Sequence, residues 1–198
     1  HQGKGFSRIL MEEAIKICEE RGSSFAVLIA RRAVDFFYNK FSFWGLSEYS
    51  TVSFRIPDKS ITYSDYSISP ATQEDLEAVS ELYDSTYSKL FGSCVRSIKY
   101  WNYVLWKAEI QKFNFLIFRS KGMVIGYIIF QGLDIHEIAT TNNASYLELL
   151  YIMRERYSMD NVIFHCSNQH PLTSELGEID FSSTRRQCYF GGHMVRIL

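Results

Sequence analysis

The stretch His1-Gln2-Gly3-Lys4-Gly5-Phe6-Ser7-Arg8 sets two glycines and a serine at the mouth of an amphipathic helix. The first turn of a helix offers backbone N–H groups with no intrahelical acceptor, at the positive end of the macrodipole. Glycines directly ahead of it let a phosphate come within reach of those groups. The chemistry this spacing can do is anion binding. A second set of reactive residue types, His165, Cys166 and His170, has the elements of a metal site. Alternation along a strand turns His165 and Cys166 to opposite faces, so they are not expected to share an ion. The adjacent pair His136-Glu137 meets the same objection. No metal is expected.

The anion turn needs a helix behind it, and residues 9–21 supply one. Leu10, Met11, Ala14, Ile17 and Cys18 make an apolar face, charged residues cover the other, and Gly22 stands at the C′ position. Ser24–Ala30 is an unbroken apolar run, expected to be a strand buried on both faces. Val34–Phe43 predicts a short helix and a break, and Tyr49–Ile56 a further strand. Pro57–Ser60 is a turn, and the polar stretch to Ser67 reads as a linker.

A second unit opens at Ile68. Thr72 is placed as N-cap, with Asp75 at the capping-box position, for a helix over Gln73–Lys89 whose stripe is Leu76, Val79, Leu82 and Tyr83. Arg96–Lys107 predicts a second helix, and its Trp101, Tyr103 and Trp106 are assigned to core packing ahead of a ligand groove. Phe113–Phe118 and Val124–Phe130 form a hairpin around Arg119–Gly122, followed by a strand at Leu133–Ala139. A helix over Ala144–Tyr157 has Asn143 as its expected N-cap. Then come a strand at Asn161–Cys166, a short helix at Leu172–Ile179 and a closing strand or hairpin over Gln187–Leu198. The expected organisation is α/β on a mixed sheet, with one unit over residues 1–67 and another over 68–198. The first unit's order, α-β-α-β, repeats the latter part of the second's.

Composition narrows the function. Of 198 residues, 46% are hydrophobic and 16% aromatic, enough for a core and too apolar for disorder. A formal charge of −1 excludes a broad nucleic-acid footprint. The four cysteines form no C-x-x-C pair, which argues against a zinc ribbon, and a disulfide framework is not expected in a chain with this much core. A reducing, cytoplasmic setting without a membrane span follows as the expectation. No strand and no initiator methionine precede the anion turn, so the chain is expected to be the later part of a longer protein.

Gln2-x-x-Gly5-x-Ser7 at a helix start, then a buried strand, then Phe37-Tyr38-Asn39-Lys40-Phe41-Ser42-Phe43, resembles the GCN5-related N-acetyltransferases. Their Gln/Arg-x-x-Gly-x-Gly/Ala signature holds the pyrophosphate of acetyl-CoA, and a later tyrosine lies in a Phe-Tyr-x-x-x-Gly-Phe stretch. The second unit, through its Leu82-Tyr83 helix, Arg96-x-x-x-Tyr100-Trp101 and His136–Ala139, is similar to the degenerate second domain of tandem acetyltransferases of the enhanced-intracellular-survival type. This chain departs from the pattern in having Ser7 where glycine or alanine is commoner and Ser42 where glycine is usual.

The resemblance implies a GNAT fold: residues 1–67 are the C-terminal half of one such domain, and 68–198 a second, degenerate one. It implies that acetyl-CoA is the co-substrate, bound by Gln2, Gly3, Lys4, Gly5, Phe6, Ser7 and Arg8, with Lys4 and Arg8 adding charge at the rim. It implies that Tyr38 is the general acid. A tyrosine of ordinary pKa about 10 can protonate a departing thiolate of about 8.5. The acceptor is then an amine on a small molecule or a protein lysine, and homo-oligomerisation stays open. Thr140-Thr141-Asn142-Asn143 stands where the second unit's phosphate turn belongs and lacks a glycine, so that unit is expected to have lost the cofactor site. The alternative is an inactive GNAT-fold scaffold or interaction module.

Overall fold

The computed structural model describes residues 4–30, 34–45, 49–56, 66–90, 93–141, 144–178, 183–188 and 192–198. The chain forms two compact units, one of residues 1–49 with 188–198 and one of residues 50–187.

The first unit contains α1 (Phe6–Glu20), β1 (Phe25–Ala30), α2 (Asp35–Asn39), β2 (Trp44–Gly45) and β10 (Gly192–Ile197). Its sheet has the order β1-β10-β2, with β1 and β10 antiparallel from Phe25↔Ile197 to Ala30↔Gly192. Ile15, Ala30, Phe41, Phe43 and Met194 are buried together, with Met11, Leu28, Phe37 and Tyr38 packed against them. The buried stripe of α1 is therefore Met11, Ile15 and Cys18, while Leu10, Ala14 and Ile17 face outward. β1 departs from its expected burial on both faces. Phe25, Val27 and Ile29 are 61%, 51% and 67% exposed, because among the described residues only the Ala26–Leu28–Ala30 face meets a packed layer.

The second unit contains β3 (Tyr49–Arg55), β4 (Tyr66–Pro70), a 3-10 turn (Gln73–Asp75), α3 (Leu76–Tyr87), α4 (Ile98–Gln111) and β5 (Asn114–Ser120). It continues with β6 (Met123–Gln131), β7 (Asp134–Thr140), α5 (Tyr146–Tyr157), β8 (Asn161–Ser167), α6 (Pro171–Glu178) and β9 (Ser183–Cys188). The seven strands run β4-β5-β6-β7-β8-β3-β9. Thr72 and Asp75 form the expected capping box. β4 overlaps the expected linker; it pairs with β5 on one side only, so Pro70 costs no ladder bond at this edge.

Leu116, Phe118, Ile128 and Phe130 face one buried layer that contains α5, while Phe115, Ile117, Tyr127 and Ile129 face another that contains α3 and α4. This strict alternation with both faces covered is why β5 and β6 read as continuous apolar runs. Two strands differ from the sequence expectation in their partners. β3, expected in the first unit, lies between β8 and β9, and β10, expected in the second, lies between β1 and β2. The two units thus end in the same pattern, β1-β10-β2 and β8-β3-β9, with their middle strands exchanged along the chain. Periodicity identifies a strand but not its neighbours.

Several buried polar groups in the second unit have specific partners, while the buried Trp101 indole N–H has none among the described residues. Arg96 lies just outside α4, whose N-cap is Ser97, and is not part of the helix as expected. Its guanidinium lies 4.1 Å from the Tyr83 ring centroid, 4.9 Å from Trp101 and 5.1 Å from Tyr100. It forks onto the buried Glu137 at 2.8 and 2.7 Å, and the Tyr127 hydroxyl donates to the same carboxylate at 2.7 Å. Burial works against the Arg96 charge, yet Glu137 outweighs it and holds the Arg96 pKa above its ordinary value. Burial also raises the Tyr83 phenol to about 12, against the pull of Arg96.

His170 is fully buried, with Nε2 at 3.2 Å from the Ile138 carbonyl and Nδ1 accepting from the Leu172 N–H at 3.2 Å. That pairing suits a neutral ring. Burial lowers its pKa from 6.5 to about 4, with the Ile138 bond pulling the other way. The unfolded chain takes up this proton near pH 6.5 while the folded one resists it to about 4. Stability is therefore whole above that window and lost as pH falls through it, by roughly 3 kcal/mol from this group. Urea unfolding at pH 7.5 and 4.5 is expected to show the loss, and the profile of His170→Asn is expected to be flatter by that amount.

Candidate active site

Residues Lys4 through Arg8 form one exposed turn at the start of α1; Gln2 and Gly3 lie outside the described residues. The N-cap is Gly5, with φ 77 and ψ 1. Its carbonyl accepts from the Arg8 and Ile9 N–H groups at 3.0 and 3.3 Å, which starts the helix. No atom lies within 4 Å of where a Cβ would stand on Gly5, so the backbone angle and not crowding calls for glycine. Among the described residues no side chain caps this first turn, and no acidic residue stands in it. Among the described residues no side chain occupies these N–H groups. Ser7 is exposed and small at the position where the resembled family carries glycine or alanine. Arg8 is exposed and makes a surface pair, its Nε 2.8 Å from Glu12, and that hydrogen bond raises its pKa. At the far end Gly22, with φ 68, closes the helix by accepting the left-handed turn, its N–H reaching Glu19 and that of Ser23 reaching Cys18.

Tyr38 sits on α2, half-buried against the core that Ile15 of α1 and Ala30 of β1 also enter. Its ring meets Phe37 and Phe43 edge-on at 5.3 and 6.5 Å. The Tyr38 carbonyl accepts from the N–H groups of Phe41 and Phe43 at 2.9 and 3.3 Å, which folds the following segment back over the helix end. Ser42 makes that fold with φ 60. The glycine usual here in the resembled family has a physical counterpart in that angle: the turn needs a left-handed residue, and Ser42 supplies it at a cost of roughly 1 kcal/mol.

The corresponding helix start in the second unit is closed. α5 is capped by Ser145, in a capping box with Glu148, instead of by Asn143, which lies outside the described residues. A second carboxylate, Glu175 of α6, then occupies the turn. It accepts from the Ser145 hydroxyl at 2.7 Å and from the Tyr146 and Leu147 N–H groups at 3.3 and 3.2 Å. The donors a phosphate would use are taken by the protein itself. Sequence reasoning missed Glu175, because no local pattern links it to a helix start 30 positions earlier. Glu175→Ala removes these bonds from a partly buried cap and is expected to cost about 2 kcal/mol. For a chain of this size that lowers Tm by roughly 4–8 °C, checked by calorimetry. Glu175→Gln is expected to cost less.

The open and closed helix starts lie in sheets that share one strand pattern, and this α/β arrangement has the fold of the GCN5-related N-acetyltransferases. The chain superposes over 99% of its length on 51% of such a protein from Anabaena variabilis ATCC 29413, with TM-score 0.73 and 20% identity. It is similar over its whole length to 53% of Eis1 from Mycobacterium abscessus, with TM-score 0.61 and 14% identity. It also matches 71% of a tandem GNAT protein from the clavulanic acid biosynthesis pathway, with TM-score 0.60 and 11% identity. The chain thus spans about half the length of the first two. No family model matches the sequence, and no curated protein is similar to it. Among the described residues no helix is long and apolar enough to cross a membrane, and no group of three or more His, Cys, Asp or Glu is placed to hold a metal ion.

Proposed function

We propose that the protein is an acetyl-CoA-dependent N-acetyltransferase in which the unit of residues 1–49 with 188–198 carries the cofactor-binding half of one GNAT domain and the unit of residues 50–187 is a second copy without a cofactor. The observation that carries this reading is the contrast between two helix starts: that of α1 is open, and that of α5 is filled by Glu175. Bound acetyl-CoA supplies an acetyl thioester that an amine, on a small molecule or a protein lysine, can attack. Gln2, Gly3 and the turn from Lys4 to Arg8 would hold the diphosphate through backbone N–H groups, with Lys4 adding positive charge at its edge. Arg8 adds charge beside it from an exposed pair with Glu12. Tyr38 would donate its phenolic proton to the sulfur as the carbon–sulfur bond breaks, and the proton lost by the amine as the carbon–nitrogen bond forms would return to the phenolate through solvent.

Gly5→Val tests the cradle. A β-branched residue at φ 77 is strained, so the turn gives up its conformation. Acetyl-CoA titrated into the protein in a calorimeter is expected to bind, and Gly5→Val to weaken it by at least about tenfold, or 1.4 kcal/mol. If the unaltered protein takes up no acetyl-CoA, the enzyme reading fails and the inactive scaffold takes its place.

A further inference from the structure

β7 carries an irregularity that changes what its side chains can reach. Opposite β6, Ile129 pairs with Glu137 and Phe130 with Ile135, so His136 is left over between them. A bulge of this kind breaks alternation and re-aims a side chain. His136 and Glu137, neighbours in sequence, consequently line the same groove, and the expectation that they must face apart does not hold.

That groove has a volume of about 440 Å³ and lies wholly within the second unit. Its floor is apolar, made by Val104, Phe113 and Ile129. Tyr100 and Tyr103, 44% and 49% exposed with ring centroids 6.3 Å apart, form an aromatic wall. The charged groups are not balanced. Arg96 and Glu137 cancel, while Lys107, also lining the groove, has no ion-pair partner among the described residues. Arg96 spends two N–H groups on its fork to Glu137. A guanidinium carries about five such donors, so it keeps others for a ligand, and its side chain remains 18% exposed. An apolar floor with a few convergent polar groups is the usual make-up of a small-molecule site. Here the surplus charge is positive and the wall is aromatic.

We infer that this groove binds a small planar aromatic carboxylate, its carboxylate on the Arg96 N–H groups and the Lys107 ammonium and its ring against Tyr100 and Tyr103. An amine is repelled by Lys107, the surplus charge. A neutral ring leaves Lys107 without a counter-charge.

The test is calorimetric titration of the whole chain with 4-hydroxybenzoate and with the neutral isostere 4-hydroxybenzamide. Saturable binding of the carboxylate is expected, with the amide weaker by about tenfold or more. Lys107→Glu is expected to weaken the carboxylate by about tenfold or more, and Val104→Trp to fill the groove and abolish binding. Lys107 is only half-buried, so its variant stays interpretable should the tryptophan disturb folding. No saturation with 4-hydroxybenzoate, equal binding of acid and amide, or indifference to Lys107→Glu overturns the assignment.

Discussion

Arg96→Ala is expected to lower the free energy of unfolding by about 3–5 kcal/mol, measured from urea unfolding curves. The reason lies in what it leaves behind. Glu137 is 6% exposed, and its carboxylate depends on the Arg96 fork and on one phenol from Tyr127. Removing the guanidinium strands a charge in a low dielectric, and it also removes the plate that stacks on Tyr83, Tyr100 and Trp101. Arg96→Lys keeps the charge but loses the planar fork, and is expected to recover only part of the loss. Arg96→Ala combined with Glu137→Ala is expected to be less destabilised than Arg96→Ala alone, because the stranded charge is gone. A loss below about 1 kcal/mol for Arg96→Ala is incompatible with a Glu137 that relies on this pair.

The second large effect concerns turnover. On the proposed reading, Tyr38→Phe removes the proton donor for the departing thiolate while keeping the ring that packs on Phe37 and Phe43. General acid catalysis contributes roughly 10²–10⁴-fold. Turnover is therefore expected to fall about 100-fold, or roughly 2.7 kcal/mol, with the KM for acetyl-CoA little changed. Unchanged kcat removes Tyr38 from the chemistry and leaves it as a packing residue of the first core. Because the phenylalanine ring keeps the contacts, melting of the variant separates this outcome from loss of structure.

Local chemistry in the chain was legible where the signal is local. Gly5 and Gly22 marked the two ends of α1, and both have the left-handed angle those ends require. Thr72 and Asp75 marked a capping box three residues wide, which forms. The alternation in β5 and β6 marked strands with two covered faces, and both faces are covered. Errors arose where the outcome depends on distant partners. Asn143 looked like the cap of α5, yet Ser145 takes that place, in a turn completed by a carboxylate from α6. Arg96 looked like the first residue of a helix. It lies before Ser97, where its side chain reaches across to a strand 41 positions later.

By itself the sequence determined most of the element types, the left-handed glycine that opens α1 and the absence of a glycine turn ahead of α5, because propensity, capping and positive φ are properties of neighbouring residues. Only the tertiary structure decided which strand lies beside which, so that β3 and β10 exchange places, and only it brought Glu175 to the α5 turn and Arg96 to Glu137. A bulge at His136 likewise shows itself only against the partner strand. These are pairings over long stretches of chain, set by how distant elements bury their apolar faces and pair their charges together, and no short window of residues encodes them.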